Sequence, residues 1–268
     1  MSSTTPAPAL ASSLPAAPLT PWRVIYGLYA WLQFLLVGLL ALLGLLTVGP
    51  LARRRGLIRR VARLTLALAG IRLTTQGFPG LPPSCVIVAN HCSYLDGVVL
   101  AALLPARFGF VIKREMSAVP LAGLLLRRIG VEFVERRARH QVLRDTRRLL
   151  RQAQLGESLV FFPEGTFSHE VGLLHFHIGA FAAAARANLP VVPLAIQGTR
   201  RCLPPGRAWP APGRIEVRVL PPIPALPAAA AGSEAQGQRA RQLRESARAA
   251  LLTALGEPDL AASGRGAA

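Results

Sequence analysis

The run Val86-Ile87-Val88-Ala89-Asn90-His91-Cys92-Ser93-Tyr94-Leu95-Asp96 decides the fold class. It opens with β-branched apolar residues and turns polar at Asn90. A strand with no polar alternation is buried on both faces, as strands of parallel sheets are. The pattern recurs at Leu159-Val160-Phe161-Phe162, which runs into Pro163-Glu164-Gly165-Thr166. Both polar loops therefore leave the carboxyl ends of buried strands, where open α/β sheets place their chemistry.

The same alternation extends outward from these two runs. Strands are expected at 85–89, 108–112, 131–134, 158–162, 190–196 and 214–220, the last with period-two alternation suited to an edge or half-exposed strand. Helices are expected at 93–104, 117–129, 138–155, 179–188 and 234–255. Repeated strand–helix units imply an α/β layered domain, a mostly parallel sheet flanked by helices. The expected division is a disordered tail at 1–20, a membrane segment and basic interfacial helix at 21–76, a catalytic domain at 77–225, and a C-terminal helix and loose tail at 226–268. Gly77 to Pro83 reads as a linker.

Charge and hydropathy point to a membrane. The chain has 268 residues and a formal net charge of +18, and Lys113 is its single lysine. Eight arginines (Arg23, Arg53, Arg54, Arg55, Arg59, Arg60, Arg63 and Arg72) precede the first acidic residue, Asp96. Such an excess calls for a polyanionic partner, either nucleic acid or anionic lipid. Val24 to Ala52 carries no charged side chain. As a helix this stretch rises ~40 Å, more than a hydrocarbon core of ~30 Å requires. Trp22, Tyr26, Tyr29 and Trp31 stand at its start as interfacial anchors do. Arginines at its far end place that end in the cytoplasm, at the inner membrane, with the catalytic face on the same side. Residues 56–71 mix arginine and leucine at helical spacing, which suits a helix lying on anionic lipid. Gly27, Gly38, Gly44 and Gly49 leave a half-inserted hairpin open beside a single span. Nucleic acid is not the expected partner, because aromatic residues do not interleave with the basic ones. Three cysteines (Cys85, Cys92 and Cys202) are too few and too irregular for a disulfide framework or a zinc site.

His91 and Asp96 form the first chemical pair. Histidine supplies a base near neutral pH, and a carboxylate on its second ring nitrogen fixes the tautomer and stabilises the imidazolium. The five-residue spacing works if His91 ends a strand and Asp96 points back from the next helix. Ser93-Tyr94-Leu95-Asp96 also fits a capping box, so a purely structural Asp96 stands beside the catalytic one. Glu164 either orients an acceptor hydroxyl or holds its loop, and Gly165 permits positive φ there. Lys113 and Arg136 end two further strands, and an arginine so placed can grip a phosphate in a forked geometry. Four strand ends thus deliver His91, Lys113, Arg136 and Glu164 to one rim. A metal hydrolase using His91, Asp96, His175 and His177 is a minor rival, since His175-Phe176-His177 could set two imidazoles on one face of a strand.

Together these pieces resemble the 1-acylglycerol-3-phosphate acyltransferase (PlsC-like) family of glycerolipid acyltransferases. Asn90-His91 through Asp96 is similar to its NHx4D block. Gly130-Val131-Glu132-Phe133-Val134-Glu135-Arg136 resembles the G-x-x-F-[IV]-x-R block. Phe162-Pro163-Glu164-Gly165-Thr166 resembles the FPEGT block, and Val191-Val192-Pro193-Leu194 the V-V-P block. The resemblance implies His91 as general base and Asp96 as its partner. It puts Arg136, Glu164, Gly165, Thr166 and Lys113 on the acceptor-binding side, with Asn90, Ser93, Pro163 and Pro193 as structural motif residues. It implies acyl-CoA or acyl-carrier protein as donor, a lysolipid as acceptor, and neither metal nor cofactor. The acceptor expected first is 1-acylglycerol-3-phosphate, which gives phosphatidate. Another lysophospholipid or a lyso-aminolipid is the alternative, and a non-catalytic membrane lipid-binding protein the minor one. Two departures bear on the acceptor. Phe167 stands where many members carry arginine, and His177 where they carry lysine or arginine.

Overall fold

A computed structural model of the protein describes residues 20–135, 148, 151–152, 157–225 and 233–262. The expected tail at 1–20 lies outside these residues except for Thr20. The helix expected over 138–155 lies outside them except for Arg148, Arg151 and Gln152, which are helical.

The apolar runs become β2 (Val86–Ala89), β3 (Phe108–Lys113), β5 (Ser158–Phe161) and β6 (Val191–Gln197). With β1 (Ile71–Gln76), β4 (Glu132–Val134) and β7 (Gly213–Val219) they form one sheet in the order β1-β7-β6-β2-β5-β3-β4. All neighbours pair in parallel except β6 and β7. Every residue of β2 and β5 is buried, as their unbroken apolar sequence requires. The sheet is covered on both sides. Val86, Val88, Leu159 and Phe161 pack toward α5 (Gly179–Ala187) and α6 (Ser233–Leu255). Ile87, Ala89 and Val160 pack toward α2 (Leu51–Leu68) and α3 (Leu95–Leu103). Successive strand residues thus feed opposite layers. The expected α/β class, a mostly parallel sheet flanked by helices, is the observed one.

Three departures from the expected elements have local causes. β1 falls at the end of the segment read as membrane segment and basic interfacial helix, because Arg72, Thr74, Thr75 and Gln76 mask its pattern. It pairs with β7, setting Leu73 beside Ile215 and Thr75 beside Val217, so β7 is half-exposed but not an edge. The helix expected over 117–129 splits into a 3-10 turn, Arg114–Ala118, and α4 (Ala122–Arg128). Pro120 interrupts it, and Leu121 adopts φ 58. The tail after Gly256 is not loose as far as Leu260. Leu173 donates its N–H to Pro258 O and accepts from Leu260 N.

The first two helices fold back on each other. α1 (Pro21–Thr47) ends in a turn at Val48–Pro50, and α2 returns along it. Tyr26 Oη donates to Ala69 O at 2.7 Å and Tyr29 Oη to Leu68 O at 3.0 Å, so the start of α1 meets the end of α2. Gly27, Ala30, Ala41, Leu42 and Leu45 of α1 are buried, while Ile25, Leu28, Leu32, Leu36, Leu40 and Leu43 face outward. Among the described residues this is the one helix long and apolar enough to cross a membrane. Several arginines of the basic cluster serve the fold. Arg55 donates to the carbonyls of Ile129, Ala106 and Gly130, Arg54 to those of Val48 and Arg128, and Arg63 to that of Ala102.

Candidate active site

The sheet order explains the convergence of strand ends. β2, β5, β3 and β4 are consecutive and parallel, so their carboxyl ends lie along one edge. His91 lies two residues past β2, Glu164 three past β5, and Lys113 closes β3. Arg136, expected two residues past β4, lies outside the described residues, as do Arg137, Arg139, Arg144 and Arg147.

Asn90 fixes where β2 ends. Its Nδ2 donates to Ile196 O at 2.9 Å, and its Oδ1 accepts from Ile196 N at 2.7 Å. The side-chain amide thus prolongs the pairing with β6 and frees the backbone to turn away. His91 follows, and α3 begins at Leu95. Asp96 in its first turn is fully buried and points back toward the loop.

The Oδ2 atom of Asp96 takes three donors. It lies 2.9 Å from His91 Nδ1, 2.7 Å from Cys92 N and 2.8 Å from Ser93 N. One oxygen thus both braces the loop backbone and contacts the imidazole, so the geometry is compatible with either reading of Asp96. Ser93 completes the bracing, since its hydroxyl accepts from Leu95 N at 3.1 Å and donates to Leu203 O at 2.8 Å. With Nδ1–H donated to a carboxylate, the imidazole leaves Nε2 to accept a proton.

Aromatic rings surround the imidazole. Phe162 stacks on it with centroids 4.3 Å apart and planes 23° apart. Phe167 meets it edge-on at 4.5 Å, and exposed Tyr94 meets Phe167 edge-on at 4.8 Å. The blocks contain Phe162 and Tyr94, but nothing in their spacing announces contact with the imidazole or with Phe167.

Glu164 ties two loops together. Its Oε1 accepts from His91 N at 2.6 Å, and its Oε2 from Leu174 N at 2.8 Å. Burial pushes its carboxyl up to about 8, against the pull of those two backbone donors. The resemblance put Glu164 on the acceptor-binding side, but its carboxylate is turned inward and each oxygen is taken by a backbone donor. Of the two roles open in the sequence, the geometry fits loop-holding. Gly165, at φ 71, makes the turn, and Thr166 beside it is exposed. Pro163 is buried, and its carbonyl accepts from His177 N at 2.8 Å. In β6, Pro193 pairs in register with Val88, and its carbonyl accepts from Leu220 N.

Cys92 fits a small buried filler better than a nucleophile. Burial, and then the charge of Asp96, push its thiol up, and its sulfur lies 3.1 Å from Thr199 Oγ1. His175 and His177 have ring centroids 6.1 Å apart, and both are exposed. Among the described residues no group of three or more His, Cys, Asp or Glu is placed to hold a metal ion.

The chain is similar to known acyltransferases. The family model described as Acyltransferase matches residues 74–197. The 1-acyl-sn-glycerol-3-phosphate acyltransferase alpha of Bos taurus is 34% identical over 160 residues, which cover 59% of this chain and 56% of that protein. The 1-acyl-sn-glycerol-3-phosphate acyltransferase of Neisseria meningitidis is 30% identical over 149 residues, covering 55% of this chain and 57% of that one. The match thus spans just over half the length of these curated relatives. The crystal structure of the 1-acyl-sn-glycerophosphate (LPA) acyltransferase, PlsC, from Thermotoga maritima superposes with a TM-score of 0.65 at 19% identity. It covers 85% of this chain and 96% of that one, and speaks for the fold alone. Over residues 74–197 the chain thus matches the Acyltransferase family model, and it is similar to 1-acyl-sn-glycerol-3-phosphate acyltransferases.

Proposed function

We propose that the protein is a membrane-bound O-acyltransferase that moves a fatty acyl group from a thioester to the free hydroxyl of a lysolipid. The acceptor we favour is 1-acylglycerol-3-phosphate, which gives phosphatidate. The carrying observation is the 2.9 Å contact between His91 Nδ1 and Asp96 Oδ2 at the carboxyl edge of the sheet. It orients a base whose other nitrogen is available to a substrate hydroxyl. The names of the relatives support the choice of acceptor.

In this reading His91 Nε2 takes the acceptor hydroxyl proton as that oxygen attacks the thioester carbonyl. Asp96 stabilises the imidazolium that forms. Collapse of the tetrahedral intermediate breaks the C–S bond, and the departing thiolate receives the proton from Nε2. Atoms and charge balance without a metal, a cofactor or an acyl-enzyme. The donor is acyl-CoA or acyl-carrier protein. Lys113, Arg136 and Thr166 are assigned to acceptor binding, and Glu164 and Gly165 to holding the loop beneath the base.

The same reading sets α1 in the cytoplasmic leaflet of the inner membrane, with the site on the cytoplasmic face. Its outward face is apolar, while its inner face is tied to α2 and, through Trp31 Nε1, to Ala208 O. A perpendicular crossing by α1 would drag the arginines of α2 into hydrocarbon, at ~2.5 kcal/mol or more each. A half-inserted hairpin avoids that cost. An apolar groove between α1, α2 and the start of α3, lined by Phe34, Leu66, Tyr94, Leu95, Val98 and Leu203, suits an acyl chain.

A second acceptor class has one observation in its favour. Phe167, not a cation, stands edge-on to His91. The deciding assay offers labelled acyl-CoA and acyl-carrier protein with a panel of lysolipids to membranes holding the wild type or His91→Ala. His91-dependent product from 1-acylglycerol-3-phosphate supports the favoured acceptor. Product only from another lysolipid moves the assignment to that lipid. No product from any pair sinks the enzymatic reading and leaves lipid binding.

A further inference from the structure

The loop between β5 and α5 carries Glu164 and Phe167, and residues far along the chain fix it. Buried Arg200 donates Nη1 to Ser168 O at 2.8 Å. Glu257 accepts the N–H of Gly172 and faces the charge of Arg200. Leu173 bonds twice to the C-terminal segment, to Pro258 O at 2.9 Å and from Leu260 N at 3.1 Å. From α6, Arg248 reaches both oxygens of Asp259 at 2.6 Å, and its Nη2 lies 3.2 Å from Leu173 O. The fit is tight. A Cβ on Gly172, whose φ is +144, would lie 2.6 Å from Leu260 Cγ and 2.8 Å from Pro258 O.

The next residue links this segment to the base. Leu174 N donates to Glu164 Oε2, and Glu164 Oε1 accepts from His91 N. A continuous path of backbone and side-chain bonds therefore runs from Asp259 through Leu173, Leu174 and Glu164 to His91. We infer that Glu257–Leu260, anchored by Arg248, is a strap that positions His91 through Leu173, Leu174 and Glu164. The inference rests on the acyltransferase reading of the site. The strap is a positioning element and bonds neither the imidazole nor Asp96. Its value lies in geometry, since a displacement of ~1 Å at a catalytic group can cost ~10²-fold in rate.

The test uses the full chain in detergent micelles. Wild type, Asp259→Ala, Asp259→Glu, Glu164→Gln and the Glu164→Gln/Asp259→Ala double variant are assayed for acyl transfer. Hydrogen exchange is followed at the amides of His91 and Leu174. We expect Asp259→Ala to lower kcat roughly tenfold, with KM for both substrates within about twofold. Asp259→Glu should restore most of the loss. The double variant should be no slower than Glu164→Gln alone, because the effect passes through Glu164. Exchange should quicken at His91 and Leu174 while β2 and β6 stay protected. Equal losses in both backgrounds, or exchange quickened evenly over the sheet, would overturn the strap. Gly172→Ala disturbs the contact from the other side and should copy the same signature, including where Asp259→Ala does not fold. If the wild type transfers no acyl group from any pair, the activity reading fails, and the exchange measurement still decides the strap.

Discussion

Asp96 holds His91 with the same oxygen, Oδ2, that holds the backbone of the loop carrying His91. The bond that orients the imidazole and the bonds that shape the turn are thus inseparable in the native side chain. Two substitutions separate them. Asn at 96 can still present a carbonyl oxygen to the three donors, but it has no charge to stabilise an imidazolium. Asp96→Asn should therefore lower kcat by ~10²–10⁴ and shift Tm by only a few degrees, ~1 kcal/mol. Asp96→Ala strands two backbone N–H groups and the imidazole, and should cost ~3–5 kcal/mol in stability as well. Paired assays and thermal melts check this. A fully active Asp96→Asn would reduce Asp96 to its capping role.

Glu164 makes stability depend on pH in a direction opposite to most carboxylates. Its ordinary value is 4.5, and burial raises it to about 8 in the folded chain. Between those values the folded chain binds a proton that the unfolded chain has lost. Its contribution is complete below about pH 4.5, drains as pH rises through that window, and levels off above about pH 8. The drop is on the order of a few kcal/mol. Glu164→Gln cannot titrate. Its melts at pH 5, 6.5 and 8.5 should lack the decline seen in the wild type, although its amide can satisfy only one of the two backbone donors. Parallel pH curves for the two proteins would show that Glu164 stays ionised throughout.

Asn90 braces the strand end from which the proposed base, His91, follows. Its amide satisfies both the N–H and the carbonyl of Ile196. Asn90→Ala leaves both buried and unpaired, a loss of ~2–4 kcal/mol. Asn90→Asp keeps the acceptor for Ile196 N but sets an oxygen against Ile196 O, so it should not rescue. Urea denaturation of both variants tests the ranking, and an Asn90→Asp as stable as wild type would refute it.

The sequence revealed most of the frame and the central pair, for physical reasons. β2, β5 and β6 are buried on both faces, so their apolar runs are unbroken and easily seen. The His91–Asp96 pair was legible because a strand end followed at once by a helix brings residues five apart within reach. β1 was not legible, because four of its six residues are polar and its support comes from β7, far along the chain. The capping and the proposed catalytic reading of Asp96 could not be separated by spacing, since both use the same offset. The inward turn of Glu164 depends on Leu174, which no motif contains. Arg200 and Glu257 have no local signal, because their partners lie in a loop brought to them only by the folded sheet.

Phe167 offers the sharpest handle on the acceptor. Its ring stands edge-on to His91 at 4.5 Å and against Tyr94 at 4.8 Å, so its side chain borders the space beside the base. The resemblance puts an arginine there in many relatives, where a guanidinium can fork onto a phosphate monoester. An aromatic edge contributes no such charge. If phosphate is held instead at the rim carrying Lys113 and Arg136, Phe167→Arg adds a second cation for the same dianion. It should then lower KM for 1-acylglycerol-3-phosphate by about tenfold, ~1.4 kcal/mol, and leave KM for an uncharged lysolipid unchanged. Phe167→Leu removes the edge contact and adds no charge, so it should disturb kcat for both acceptors alike. Kinetics of the two variants with both acceptors make the comparison. An equal KM change for both lipids in Phe167→Arg would place position 167 outside the acceptor head-group site and leave Phe167 as packing for His91.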